Sequence, residues 1–437
     1  MKNTIDNIKE QFEQLQSKAN GNGLGHLSQN AFSTFNKIGL PAVGHEEWKY
    51  TRISSLFNKE YLFPVDAAAH ELTAIDLEGL RLPGHKEANE LVFVNGLYSP
   101  SLSIIRSTNL VLLTLVEAAK SEYKPIVSAH LGHSANYLKD GINALNTAFA
   151  QAGLFLHVGK DTTVEHPVYI YNISDARSGN IFSQPRSLAH IDERAMVQIV
   201  ETFISLGQGE SLTNQVMEIV VEKDASLEYY KIENDSPHAN LVSSTHIRQV
   251  GKSLSYAVTV SLNGGIVRNN LNVVLEAPHA EAHLYGLYFQ GGNNHIDNHT
   301  LVDNVAPNCF SNELYKGIMD DQSTGVFNGK IFVRQPAQKT NAYQSNKNIL
   351  LSDSATVNSK PQLEIFADDV KCSHGCTVGQ LDEEALFYLR SRGVDEKIAK
   401  SLLLHGFAID ILNKIKLSPI RTYVDQLISK RLEFDVR

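Results

Sequence analysis

The sequence predicts a mainly β protein: a parallel β-helix core, with an N-terminal helical and mixed region before it and a C-terminal helical domain after it. Three observations predict this. Apolar residues alternate with period two from about residue 156 to 378. No long helical pattern separates the strand candidates, whose centres lie roughly 13 to 25 residues apart, a spacing that suits stacked coils. After Gly379 the apolar period returns to 3.6. A large sandwich or barrel is the alternative, because the sequence shows no clean repeat.

Residues 1–60 form the N-terminal helical region, with Ile5, Ile8, Phe12 and Leu15 at helical spacing before the loop GNGLGH. Residues 61–155 mix α and β signals: ELVFVNG at 90–96 reads as a strand, and 138–152 as a helix with Ile142, Leu145, Ala148 and Phe149 on one face. The β-helix core is assigned to 156–380. Its clearest strand is SLSYAVTVSLN, half-buried, with Leu254, Tyr256, Val258, Val260 and Leu262 facing one way and Ser, Ala and Thr the other. Seventeen asparagines between Asn234 and Asn358 suggest repeated corners, since Asn tolerates the left-handed backbone. In the C-terminal helical domain, 381–437, Asp382 and Asp395 can cap two helices, Gly393 can stop the first, and Ser418-Pro419 opens a third. These amphipathic helices suit either a cap on the last coil or a docking surface for another protein.

Composition narrows the function classes. The 437 residues are 42% hydrophobic and 20% charged, enough for a sizeable core, and 28 Gly with 13 Pro are too few for a collagen or a disordered linker. The net charge of −9 and the lack of any basic block exclude broad electrostatic binding of nucleic acid or anionic lipid. The cysteines, Cys309, Cys372 and Cys376, give no disulfide framework and suit a reducing compartment. The N-terminus lacks a signal-peptide core, so a cytoplasmic location is expected. The apolar run at 110–116 is far short of the ~20 residues a membrane helix needs.

Little autonomous catalysis is expected. GVFNGKI has three residues between Gly325 and Gly329 and Ile331 where a phosphate loop needs a hydroxyl, so it reads as a turn entering a strand. A GxSxG elbow is absent. His295 and His299 in HIDNH suit a metal only on a helix, and their neighbours read as strand and turn; they are taken as structural. Cys309 reads as a packed thiol, and Asp368 and Asp369 as a solvated turn. The remaining candidate is the run DDVKCSHGCT. If extended, it puts Cys372, His374 and Cys376 on one face. The outer thiols are then about 13 Å apart at ~3.3 Å per residue, whereas two sulfurs on one zinc lie within ~4 Å. Unless the backbone turns sharply at Gly375, this segment can only lend ligands to a site completed by another chain.

The run DDVKCSHGCTVGQLDEEALFYLRSRG (368–393) resembles the C-terminal signature of the SufB/SufD family of iron-sulfur cluster assembly proteins, in its SufD form. PAVGHEEWKYT (41–51), ALNTAF (144–149), HIDNHT (295–300), LYKGIMDDQSTGVFNGKI (314–331) and QKTNAYQSNKNILLS (338–352) agree with it. The resemblance implies a right-handed parallel β-helix in a non-catalytic scaffold subunit of the SufBCD complex. Such a subunit pairs with SufB through the β-helix, recruits the SufC ATPase through the C-terminal helices, and can form a homodimer when isolated. It further implies that His374, with Cys372 nearby, lies where a transient iron-sulfur cluster forms at the SufB interface, any metal ligation being shared with SufB, and that the isolated chain holds no permanent cofactor. Cys376 departs from the family pattern, which commonly has a small residue there; it is either an additional thiol ligand or a small buried side chain, the latter favoured. The alternatives to a scaffold are a polysaccharide-active β-helix enzyme and a purely structural partner of SufB.

Overall fold

The chain coils through two long sheets, laying alternate strands on each. The computed structural model describes residues 4–18, 23–42, 44–64 and 72–432. In the first sheet the strand Leu254–Asn263 lies parallel between Ser226–Asn234 and Glu281–Gln290. In the second, Ile266–Leu275 lies parallel between Ala239–Gln249 and His295–Asn304. Among the described residues each sheet has ten strands, antiparallel only in the first pair of each. The architecture is a parallel β-solenoid flanked by helices at both chain ends.

Corners with positive φ stack in one row at Arg194, Asp224, His279, Asn308 and Lys339, about 30 residues apart except for the double step from Asp224 to His279. Each donates its N–H to a carbonyl of the next coil: Arg194 to Lys223 at 2.9 Å, Asn308 to Gln338 at 2.9 Å. Only one of these five, Asn308, is an asparagine, so asparagine is not the rule at these corners. Asn269, Asn270, Asn272, Asn298, Asn346 and Asn348 are instead buried within strands, where an amide that both donates and accepts can satisfy neighbours above and below. The asparagine bias reports polar layers on the sheets.

The strand Leu254–Asn263 alternates as expected but is buried on both faces. Ala257 joins the apolar interior of the solenoid with Ile199, Ile247, Val273 and Leu284. Tyr256, Val258, Val260 and Leu262 point the other way, into a second core shared with Ile411, Ile415, Ile420, Val424 and Ile428 of the C-terminal helices. Polar inward side chains pair with each other: Lys231 Nζ donates to Thr245 Oγ1 at 3.0 Å, and Asn269 Nδ2 to Glu233 at 2.9 Å.

The three C-terminal helices, Glu383–Ser391, Glu396–Leu412 and Ser418–Arg431, begin where their caps predict. Asp382 accepts from the N–H groups of Glu384 and Ala385 at 2.9 and 3.1 Å, and Gly393 ends the first helix at φ 86°. The second and third lie along the outer face of the first sheet, held also by the Lys316 to Asp410 ion pair at 2.5 Å. They do not cap the last coil: the final strands Thr356–Ile365 and Lys371–Gly379 contain no buried residue.

At the other chain end, Ile8 and Phe12 of the helix Thr4–Lys18 and Ala31 and Phe35 of Gly25–Ile38 pack with Ile142, Leu145, Ala148 and Phe149. The loop read between these helices includes Gly21 and Asn22, which lie outside the described residues. GVFNGKI is strand interior and not a turn: it sits within Thr324–Val333. A Cβ at Gly329 would come within 2.4 Å of Gln344 and 2.7 Å of Phe327, so the glycine serves close packing. Cys309 is 1% exposed, and burial pushes its thiol up to about 11. Among the described residues no helix is long and apolar enough to cross a membrane.

Candidate functional site

The last strand of the first sheet, Lys371–Gly379, is an edge strand, paired among the described residues on one side only, with Asn341–Leu350. Its register sets Cys372 beside Ala342, His374 beside Gln344 and Cys376 beside Asn346. Ala342 lies in the solenoid interior, and Gln344 and Asn346 are buried. Because register partners share a face of the sheet, Cys372, His374 and Cys376 all look into the mouth of the solenoid at its uncovered end. Gly375 pairs with Ser345 within the regular strand, so the backbone makes no sharp turn there. With ~3.3 Å per residue the outer thiols remain about 13 Å apart, and the strand alone cannot close a mononuclear site.

The three side chains differ in environment. Cys372 is half-buried against the apolar interior, and that burial pushes its thiol up. His374 and Cys376 are exposed. Cys376 is therefore not the small buried side chain expected of it, since no further coil stacks over this edge. Its Sγ donates to Ser359 Oγ at 3.0 Å, across the mouth on the last strand of the second sheet. Ser359 in turn donates to Asn346 Oδ1 at 2.8 Å, and Asn348 Nδ2 donates to the same oxygen at 2.7 Å. Beneath His374, Gln344 Nε2 donates to Glu313 at 2.7 Å. Burial pushes the Glu313 carboxyl up to about 7, against the hydrogen bonds of Thr300 and Gln344. Asp368 and Asp369 form an exposed bend before the strand; the Asp369 N–H donates to Gln338 at 2.9 Å.

Beyond the edge strand the helix Glu383–Ser391 buries none of its residues and exposes Phe387 (73%) and Tyr388 (58%). Ile398 and Leu402 on the next helix extend the exposed apolar surface.

A family model described as "SUF system FeS cluster assembly, SufBD core domain" matches residues 171–407, over half of the chain. The chain belongs to the SufBD family. Residues 2–170 match the SufBD protein N-terminal region. The chain is 30% identical to an iron-sulfur cluster assembly SufBD family protein of Synechocystis sp., over 97% of this chain and 96% of that one. It is 28% identical to the iron-sulfur cluster assembly protein SufD of Escherichia coli, over 96% and 95%. It is also 24% identical to SufD of Bacillus subtilis, over 74% of each.

Of the other segments that resembled this family, QKTNAYQSNKNILLS supplies the strand paired with the edge strand, whereas PAVGHEEWKYT and HIDNHT meet each other on the second sheet. Trp48 of PAVGHEEWKYT is buried under the second sheet, its ring 3.9 Å from the Arg268 guanidinium, which pairs with Asp297 at 2.9 Å. His295 Nε2 lies 2.8 Å from Thr51 Oγ1, and His299 Nε2 lies 3.1 Å from Asp297. These two histidines fasten the N-terminal segment of the SufBD chain to the sheet, the structural part expected of them. Sequence reasoning missed the second layer at the mouth, Gln344, Asn346, Ser359 and Glu313. The signal for it was the same asparagine-rich, alternating pattern that suggested corners.

Proposed function

We propose that this chain is a non-catalytic scaffold subunit in iron-sulfur cluster assembly. It pairs with a SufB-like chain through the open end of its solenoid and recruits a SufC-like ATPase through the C-terminal helices. His374 and Cys372 contribute donors to a transient cluster, which is cargo and not a resident cofactor. The observation that carries this is the open mouth itself: three donor side chains share one face of an edge strand that has no second partner among the described residues, and their spacing prevents closure of a site by that strand alone. Unpaired edge strands template pairing with another chain, and a neutral imidazole and a thiolate are competent iron ligands. The raised pKa of the Cys372 thiol fits this, because the thiolate then forms only when a metal or a cationic partner group draws the proton off.

The exposed Phe387 and Tyr388 support the ATPase-docking role, since adjacent exposed aromatics on a helix are typical anchor residues. The test is co-expression of this chain with SufB-like and SufC-like proteins from the same source. The expected result is a complex containing all three. Recovery of a SufB–SufC complex that excludes this chain overturns the scaffold role.

A further inference from the structure

On the outer face of the second sheet, far along the solenoid from the open mouth, His157 and His190 are register partners on the paired strands Leu154–Val158 and Arg186–Ile191. Glu222 follows directly on the next strand, Ser211–Val221. His130 ends the helix Lys124–His130 that packs above them. One ligand atom from each of His130, His190 and Glu222 lies within 4.8 Å of the others. Ligands on one zinc span at most ~4 Å, so small side-chain rotations bring all three onto a single ion.

We propose that His130, His190 and Glu222 form a binding site for a divalent first-row transition-metal ion, separate from the cluster-assembly end. Two imidazoles and one carboxylate are a donor set that zinc and its neighbours favour, and three protein ligands leave one position open. The surroundings support the assignment. His190 Nε2 lies 3.4 Å from Glu222 Oε1, while its Nδ1 lies 3.0 Å from Nδ1 of the buried His157. With His190 binding through Nε2, its Nδ1–H donates to His157, the outer hydrogen bond that orients a metal-bound imidazole. Arg248 Nη1 donates to His130 Nδ1 at 2.8 Å and opposes a cation there. The same guanidinium makes two further bonds to Glu276, each 2.8 Å, that do not depend on His130. Ion capture therefore exchanges one arginine hydrogen bond for a coordination bond and leaves the Arg248 to Glu276 pair in place.

The test uses the full-length chain in which Cys372, His374 and Cys376 are replaced by Ser, Ala and Ser, so that the mouth offers no soft ligands. After chelator treatment it is titrated calorimetrically with zinc. One equivalent is expected to bind. His130→Ala and Glu222→Gln, both at half-buried positions, should each weaken binding by more than about tenfold, since even outer partners of a metal site act on that scale. Arg248→Gln should strengthen it. Cobalt substituted for zinc should give absorption bands of nitrogen and oxygen ligation without thiolate charge transfer, which reports on the ligands independently of affinity. Failure of the chain to bind zinc, or binding that neither His130→Ala nor Glu222→Gln changes, overturns the site.

Discussion

His374 and Gln344 stand side by side in register on the last two strands of the first sheet, and Gln344 donates at 2.7 Å to Glu313. The exposed imidazole at the solenoid mouth thus sits above a buried carboxyl whose pKa is pushed up to about 7. The polar interior reaches the open end.

This arrangement makes stability depend on pH. An unfolded Glu titrates near 4.5, so between that value and about 7 the folded chain binds the extra proton. Its contribution is complete below the unfolded value and is lost as pH rises through 7, by up to roughly 3 kcal/mol at ~1.4 kcal/mol per unit. Glu313→Gln should flatten the decline of Tm between pH 5 and 8. Thermal melts of the two proteins check it; parallel profiles would show that the carboxyl is ionised throughout.

Close packing inside the solenoid gives a second expectation. A Cβ at Gly286 would fall 2.2 Å from the Tyr315 ring, and Tyr315 is 2% exposed. Gly286→Ala should destabilise the chain by about 1–3 kcal/mol, the usual cost of overpacking, measured by urea unfolding. An unchanged midpoint would mean that the ring has space.

The helical end calls for point substitutions in place of truncation. Removing everything after residue 382 would strip Ile411, Ile420 and Val424 from Val258, Val260, Leu287 and Phe289 and expose that core. Phe387→Ala with Tyr388→Ala touches only exposed side chains. The pair should leave the free energy of unfolding within about 0.5 kcal/mol of wild type and weaken binding of a SufC-like partner by about 2 kcal/mol, roughly 30-fold in Kd. Wild-type affinity would place the ATPase elsewhere.

Much of this was legible in the sequence because it is local. Period-two alternation marked the strands, and Asp382, Asp395, Gly393 and Pro419 marked the helix ends. The outward-facing core was not legible: Tyr256, Val258 and Val260 alternate identically whether they face the solenoid interior or a flanking helix, and only the return of distant chain decides. The asparagines misled for a related reason, since an amide suits both a left-handed corner and a buried polar ladder. At the mouth, alternation placed Cys372, His374 and Cys376 on one face. The exposure of Cys376 depends on how many coils stack above it, which no local pattern records.

The most direct test of the proposed role is His374→Ala in the assembled complex with SufB-like and SufC-like partners. The substitution removes the donor nitrogen from an exposed side chain and should leave the complex intact. Iron and sulfide per complex, measured after reconstitution, should fall well below wild type, with Cys372→Ala showing a similar or smaller loss and Cys376→Ala the smallest. Wild-type iron and sulfide in an intact His374→Ala complex would contradict the account and leave His374 without a part in cluster formation.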